Sequence, residues 1–280
     1  MPTTILTGLP RSGTTLVCAL LNQLPDAVAL VEPMGFGDTR DPGQSIAEIE
    51  AFAAQSRRRA LQDGMMLTKA YAGTVPGDTM APAGTAGGLR REIAAISLIP
   101  IGKELSKDFN LFIKNPGWFT ALAEPLCARY PVFAFVRNPL AVLASWQCVD
   151  IPPHYGRASG AEQFDRALSS RLDQVSDDIE RQVELMSWFL QVYARLGTAR
   201  VLRFEDLIAE PAGTLARLHR RSGEIRYPIE QRTIEERYPN VDLARLAAAL
   251  RRALPLIRPL YPDFEDTLDR HAPRSRVRTG

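Results

Sequence analysis

Three observations predict an α/β fold, a three-layer sandwich with helices on both faces of a central parallel sheet. The chain opens with a short β-branched and apolar run, Thr3-Thr4-Ile5-Leu6, then a glycine turn, then a helix over 14–22. Strand-length apolar runs recur at 27–31, 109–113, 132–136 and 198–204, with helical periodicity between them. Each run stops at a polar residue. Alternating strands and helices build a parallel sheet covered on both sides, and ligands bind such sheets outside the carboxyl ends of the strands.

The turn itself is Gly8-Leu9-Pro10-Arg11-Ser12-Gly13-Thr14-Thr15. A triphosphate-binding loop reads G-x-x-x-x-G-K-[ST], with backbone N–H groups around the phosphates and a lysine on the β/γ oxygens. Thr14 stands where that lysine belongs, and the basic residue, Arg11, sits upstream within the turn. Helical positions Leu16, Ala19 and Leu20 share one face. The new helix aims its free N–H groups and positive dipole end at whatever anion lies in the loop.

The run Ala27–Val31 ends at Glu32-Pro33, so an acid closes a buried strand. A helix over 45–62 follows from a capping box of Ser45 and Glu48 and the spacing of Ile46, Ile49 and Phe52. Residues 72–88 are rich in Gly, Pro, Thr and Ala and read as a mobile loop, either a lid over substrate or an insertion without a role. Phe109–Ile113 ends at Lys114-Asn115-Pro116, and a helix follows over 118–128. Val132–Val136 ends at Arg137-Asn138-Pro139, and a helix from Leu140 to about Cys148 carries Ser145. Residues 161–196 are mostly helical, with Ile179, Val183, Met186, Phe189, Leu190 and Tyr193 on a core-facing side. The run 198–204 ends at Glu205-Asp206-Leu207, and short helices are expected over 211–222 and 242–254.

Composition bounds the function. At 280 residues and 45% hydrophobic the chain can bury a large core as one domain. A net charge of +2 is too small to indicate a nucleic-acid partner, although Arg274, Arg276 and Arg278 give a basic tail. No apolar run approaches the ~20 residues of a membrane span, and the first strand leaves no room for a signal peptide. Cys18, Cys127 and Cys148 are far apart and odd in number, so a reduced, cytoplasmic location is expected. His154, His219 and His271 are isolated from one another and from the cysteines, and no metal is expected. Of 34 basic residues only Lys69, Lys103, Lys107 and Lys114 are lysine, so a lysine beside a site stands out.

Two strand ends offer separate anion sites. One is the loop with Arg11 and the Ser12, Thr14 and Thr15 hydroxyls. The other is Arg137 with Ser145 eight residues on, a charged fork and a hydroxyl suited to phosphate. Together with Arg203-Phe204-Glu205-Asp206-Leu207 and Pro211, these blocks resemble the sulfotransferases that use 3′-phosphoadenosine 5′-phosphosulfate (PAPS). The resemblance covers residues 3 to about 220 and is closest to the Arg-Ser-Gly-Thr-Thr branch with tyrosylprotein and carbohydrate sulfotransferases.

The resemblance implies a P-loop-like sulfotransferase fold with a helical C-terminal part, a single domain over 1–280, and a helical extension and basic tail over 225–280. It implies Glu32, Lys114 and Arg11 as catalytic residues, with Arg11 facing the other two across the place where sulfate moves. Arg11, Ser12, Gly13, Thr14, Thr15, Arg137 and Ser145 are the implied PAPS contacts. Magnesium is dispensable, because a sulfuryl group carries less charge than a phosphoryl. The resemblance implies a hydroxyl of a small molecule or carbohydrate as the acceptor, without fixing which.

Alternatives stay open on the residues alone. Glu32 is also compatible with a structural ion pair, Lys114 with a solvated strand end, Arg137 with a surface arginine, and His154 with an acceptor contact or the base. A small-molecule kinase with ATP is the alternative activity, opposed by Thr14, and a non-catalytic nucleotide-binding protein is a third. The Gly-x-x-Gly-x-x-Lys segment that closes over the 3′-phosphate in the cytosolic enzymes is missing, with Arg274, Arg276 or Lys69 as substitutes. The Phe204 position, often tyrosine in related proteins, departs from the pattern in a block that reads as largely structural.

Overall fold

A computed structural model describes residues 3–82, 88–225 and 232–272. The tail arginines Arg274, Arg276 and Arg278 and part of the expected 72–88 loop lie outside the described residues.

Five strands form the parallel sheet: β1 Thr3–Gly8, β2 Ala27–Val31, β5 Asn110–Lys114, β6 Val132–Val136 and β7 Val201–Arg203, in the order β2-β5-β1-β6-β7. The register pairs Leu6 with Lys114 and Gly8 with Phe135. β1 lies at the centre, with its order reversing on either side. That crevice at the carboxyl edge is where the loop after β1, Glu32 after β2 and Lys114 of β5 come together.

Helices cover both faces. Leu6, Ala29, Phe112, Phe135 and Leu202 pack against α1 (Thr14–Leu21), α9 (Phe204–Ala209) and α10 (Pro211–Ala216) through Val17, Leu20, Leu207 and Leu215. On the opposite face Ile5, Leu30, Leu111 and Ile113 meet α2 (Pro42–Asp63), α3 (Pro116–Ala121) and α4 (Ala123–Cys127). Ala134 and Val136 continue that face into the largest core cluster, with α5 (Pro139–Trp146), α8 (Asp178–Leu196) and the C-terminal α12 (Leu243–Leu250), α13 (Leu254–Ile257) and α14 (Phe264–Arg270). The expected three-layer α/β architecture with a helical C-terminal part is the one found. No described helix is long and apolar enough to cross a membrane.

Several boundaries differ from the sequence expectation, each for a local reason. α2 starts at Pro42, because the Asp41 carboxylate accepts from Gly43 N at 2.8 Å; Ser45 donates back to the Asp41 carbonyl instead of opening a capping box. The expected 118–128 helix is two, joined at Leu122. The 161–196 stretch is three, α6 (Ser159–Phe164), α7 (Arg166–Asp173) and α8, with Asp165 and Asp177 accepting from the N–H groups that start α7 and α8. β7 is shorter than 198–204, since Thr198–Arg200 is a 3-10 turn and Phe204 already begins α9.

One unit was absent from the pattern: an antiparallel hairpin of β3 (Met65–Ala70) and β4 (Ala95–Pro100). β3 lies along the free edge of β2, where Thr68 Oγ1 accepts from Val31 N at 2.8 Å. A side chain thus satisfies an edge N–H that no ladder partner reaches.

Candidate active site

The loop after β1 is tied down at three points. A Cβ on Gly8 would stand 2.4 Å from the Phe135 carbonyl oxygen, so only glycine permits this approach to β6. Leu9 N and Ser12 Oγ both donate to that same oxygen, at 3.0 and 2.9 Å, and Trp146 Nε1 donates to the Pro10 carbonyl at 2.9 Å. Gly13, at φ 85°, then starts α1 without a side-chain cap. The first-turn N–H groups of α1 therefore have no capping oxygen and open on the cavity lined by Gly13, Thr14 and Thr15. Ser12 is buried and spent on the sheet, so its hydroxyl shapes the loop.

Glu32 extends β2 by one backbone bond, donating N–H to the Lys114 carbonyl at 2.8 Å, and does so at φ 43°, a strained value for a residue with a Cβ. Its carboxylate sits between two ammoniums. Lys114 Nζ is 2.5 Å from Oε1, and Lys69 Nζ is 2.8 Å from Oε2. Lys114 also donates to Thr15 Oγ1 at 3.3 Å, which joins the acid to the start of α1. Lys69 reaches on to Glu92 at 2.8 and 3.0 Å. Burial raises the Glu32 carboxyl, but the charges and hydrogen bonds of Lys114 and Lys69 outweigh it and hold the group at about 2. Glu32 is a carboxylate at any physiological pH.

Arg11 faces elsewhere. Its Nη1 and Nη2 donate to Asp78 at 2.7 and 2.8 Å, and its Nε donates to Ser145 Oγ at 3.2 Å; no bond to Glu32 or Lys114 occurs among the described residues. Asp78 also accepts from Arg90 Nη2 at 2.8 Å and from Met80 N at 3.1 Å. Burial raises the Asp78 carboxyl, yet the hydrogen bonds and charge of Arg11 and the bond from Arg90 hold it well below the usual carboxylate range. Arg11 itself is at φ 73°, so the turn that aims its side chain is strained.

Arg137 leaves β6 and spreads over the Phe204 ring, its guanidinium carbon 4.9 Å from the centroid, while Nη1 donates to Tyr238 Oη at 3.3 Å and to the Arg11 carbonyl at 3.4 Å. The same Phe204 ring covers Gly13, where a Cβ would come within 2.4 Å of it. No described acid pairs with Arg137. Arg237, at the end of α11 (Ile234–Arg237), lies near enough that burial and the Arg137 charge lower its proton affinity. Two guanidiniums crowd one wall of a cavity of about 1120 Å3 that also holds Arg11, Thr14, Glu32, Lys69, Asp78, Arg90, Lys114 and Tyr238. Ser145 is buried behind Arg11.

His154 turns away: its Nδ1 bonds the Trp146 carbonyl at 2.9 Å and its ring packs edge-on against Tyr155. Glu205 clamps the start of α5, accepting from Asn138 N at 2.8 Å and Tyr261 Oη at 2.9 Å, which fits the structural part expected of its block. Lys69, offered as a substitute for the closing segment and marked by the rarity of lysine, sits instead between Glu32 and Glu92. Asp78, Arg90, Arg237 and Tyr238 carried no sequence signal, because they approach through loops and a terminal helix that pair with no motif. No group of three His, Cys, Asp or Glu able to hold a metal occurs among the described residues.

A glycine loop without its lysine, set against a carboxylate–lysine pair and a second arginine site, defines an anion-handling group-transfer fold. The model of the Sulfotransferase family matches residues 2–225, and the chain belongs to that family. It is a transferase that moves sulfuryl groups to a hydroxyl-bearing acceptor. Among solved structures it is similar to a sulfotransferase from Alicyclobacillus acidocaldarius, at 14% identity and a TM-score of 0.43 over 95% of this chain and 99% of that one. It is also similar to the sulfotransferase domain of the curacin biosynthetic pathway, at 14% identity and 0.33 over 83% and 79%, and to sulfotransferase STF1 of Mycobacterium tuberculosis H37Rv, at 16% identity and 0.37 over 92% and 77%. No curated protein matches the chain.

Proposed function

We propose that this protein, as a single domain over 1–280 in the cytoplasm, transfers the sulfuryl group of PAPS in line to a hydroxyl of a small-molecule or carbohydrate acceptor. The observation that carries the proposal is the sharing of one cavity by an uncapped α1 N-terminus, the Glu32–Lys114 pair and an Arg137 with no acid partner among the described residues. The donor has two separate anions, and the cavity offers a place for each. At about 1120 Å3 it also exceeds the roughly 300–1,000 Å3 of an ordinary small-molecule site, which leaves room for donor and acceptor together.

In this assignment the N–H groups of Gly13, Thr14 and Thr15, in the loop shaped by Ser12, hold the 5′-phosphosulfate. Arg137 and Ser145, with Arg11 beside them, hold the 3′-phosphate, and Tyr238 and Arg237 stand in for the missing closing segment. The acceptor oxygen attacks sulfur, the bond from sulfur to the bridging oxygen breaks, and adenosine 3′,5′-bisphosphate leaves. Glu32 takes the acceptor proton. A carboxylate held at about 2 is a weak base while both ammoniums sit on it. When the sulfate enters, Lys114 is drawn to the sulfuryl and bridging oxygens, stabilising the charge that develops there and releasing Glu32 to accept a proton. Arg11, turned to Asp78 and Ser145, serves the 3′-phosphate and not this charge.

Binding of adenosine 3′,5′-bisphosphate and of ATP to the purified protein tests the assignment. Micromolar bisphosphate binding that is indifferent to magnesium is expected; tighter ATP binding, or a need for magnesium, would overturn it in favour of a kinase.

A further inference from the structure

We propose that Arg11 and Arg90, beside Ser145, form one phosphate seat of the donor site, and that Asp78 fills this seat in the empty protein. Arg90 is then a donor-binding residue, and Asp78 sets donor affinity by competing for the seat. The proposal rests on the PAPS assignment above.

The geometry is that of an anion site with its anion in place. Two guanidiniums converge on a single carboxylate, Arg11 through both terminal nitrogens and Arg90 through Nη2, with Met80 N as a fourth donor. Bidentate arginine forks of this kind recognise carboxylate and phosphate alike. Arg11 Nε donates to the Ser145 hydroxyl, so the seat adjoins the serine expected to serve phosphate. The seat opens on the cavity, since Arg11, Asp78 and Arg90 all line it.

Two further cations stand close by, although Glu92 and Asp242 also line the cavity. Arg137 and Arg237 stand on the same wall without an ion pair among the described residues, and Arg237 is depressed by burial and by Arg137. A phosphate brings up to two negative charges and three oxygens where the carboxylate brings one charge and two. It therefore displaces Asp78 in this cationic setting. The segment is built to let the side chain go. Asp78 lies just outside a paired ribbon in which Ile93 N donates to the Thr79 carbonyl at 2.8 Å and Ala81 N to the Arg91 carbonyl at 2.9 Å. Arg90 is anchored independently, by Arg90 N to the Cys148 carbonyl at 3.0 Å and by Asp150 N to its own carbonyl at 2.8 Å. The arginine stays when the aspartate leaves.

Calorimetric titration of the full-length protein with adenosine 3′,5′-bisphosphate decides the matter. A seat already filled lowers apparent affinity in proportion to its free fraction, so Asp78→Asn and Asp78→Ala should both bind on the order of tenfold more tightly than wild type. In the Asp78→Asn background, Arg90→Ala should lose about tenfold. If the wild type binds and both Asp78 variants, with unchanged thermal unfolding, bind no better or worse, Asp78 merely props Arg11 and the proposal falls alone. If the wild type fails to bind the bisphosphate, the donor assignment falls and takes the seat with it.

Discussion

Lys69 Nζ donates to Glu32 Oε2 at 2.8 Å, leaving Oε1 to Lys114. The two lysines come from different units, Lys69 from the hairpin at the sheet edge and Lys114 from the central sheet. Part of the charge that keeps Glu32 ionised is thus supplied from outside the central sheet. Lys69→Met should raise the Glu32 pKa from about 2. The acid limb of the kcat/KM profile then moves to higher pH, into a range where the wild type is flat. An unmoved limb would mean that Lys69 does not tune the base.

Glu32→Gln keeps the shape and loses the proton acceptor. Turnover should fall by roughly 10²–10⁴ with bisphosphate affinity unchanged. Turnover that survives would transfer the base role to another group, and the bond from His154 to the Trp146 carbonyl makes that residue a poor successor.

Acid should unfold the protein through the same carboxylates. The Glu32 pKa is lower in the fold than its ordinary 4.5, so its ion pairs contribute stability that is complete above about 4.5 and lost as pH falls through about 2. Asp78 acts in the same direction. Denaturant midpoints measured from pH 6 to pH 3 should fall for the wild type and fall less steeply for Glu32→Gln.

Gly13→Ala should destabilise by more than about 1 kcal/mol, which is ~2–4 °C in a domain of this size. The added Cβ meets both a left-handed φ of 85° and the Phe204 ring. Combining it with Phe204→Leu should recover only part of the loss in thermal unfolding, because the smaller side chain relieves the contact and leaves the backbone strain. Full recovery would show that the conformation at Gly13 costs nothing.

The sheet was legible because its strands are local apolar runs ended by the polar residues that line the cavity. Arg11, Glu32, Lys114 and Arg137 all sit at the carboxyl edge, as strand ends must, and Gly8 and Gly13 declare backbone positions that no other residue tolerates. The hairpin was illegible for a physical reason. β4 alternates weakly, with Ile96 and Leu98 exposed, and β3 pairs across 24 intervening residues that no local rule bridges. The direction of Arg11 was equally hidden, because it is decided by Asp78, whose loop shows no periodicity.

Tyr238 belongs to a stretch beyond the 2–225 family match, yet its hydroxyl meets Arg137, an arginine of the matched core. The matched core and the chain that follows it thus meet at one guanidinium, so a change at position 238 reaches the cavity without altering any residue of the match. Under the donor assignment proposed above, Tyr238→Phe removes only that hydroxyl and should weaken bisphosphate binding while leaving the pH dependence of turnover unchanged.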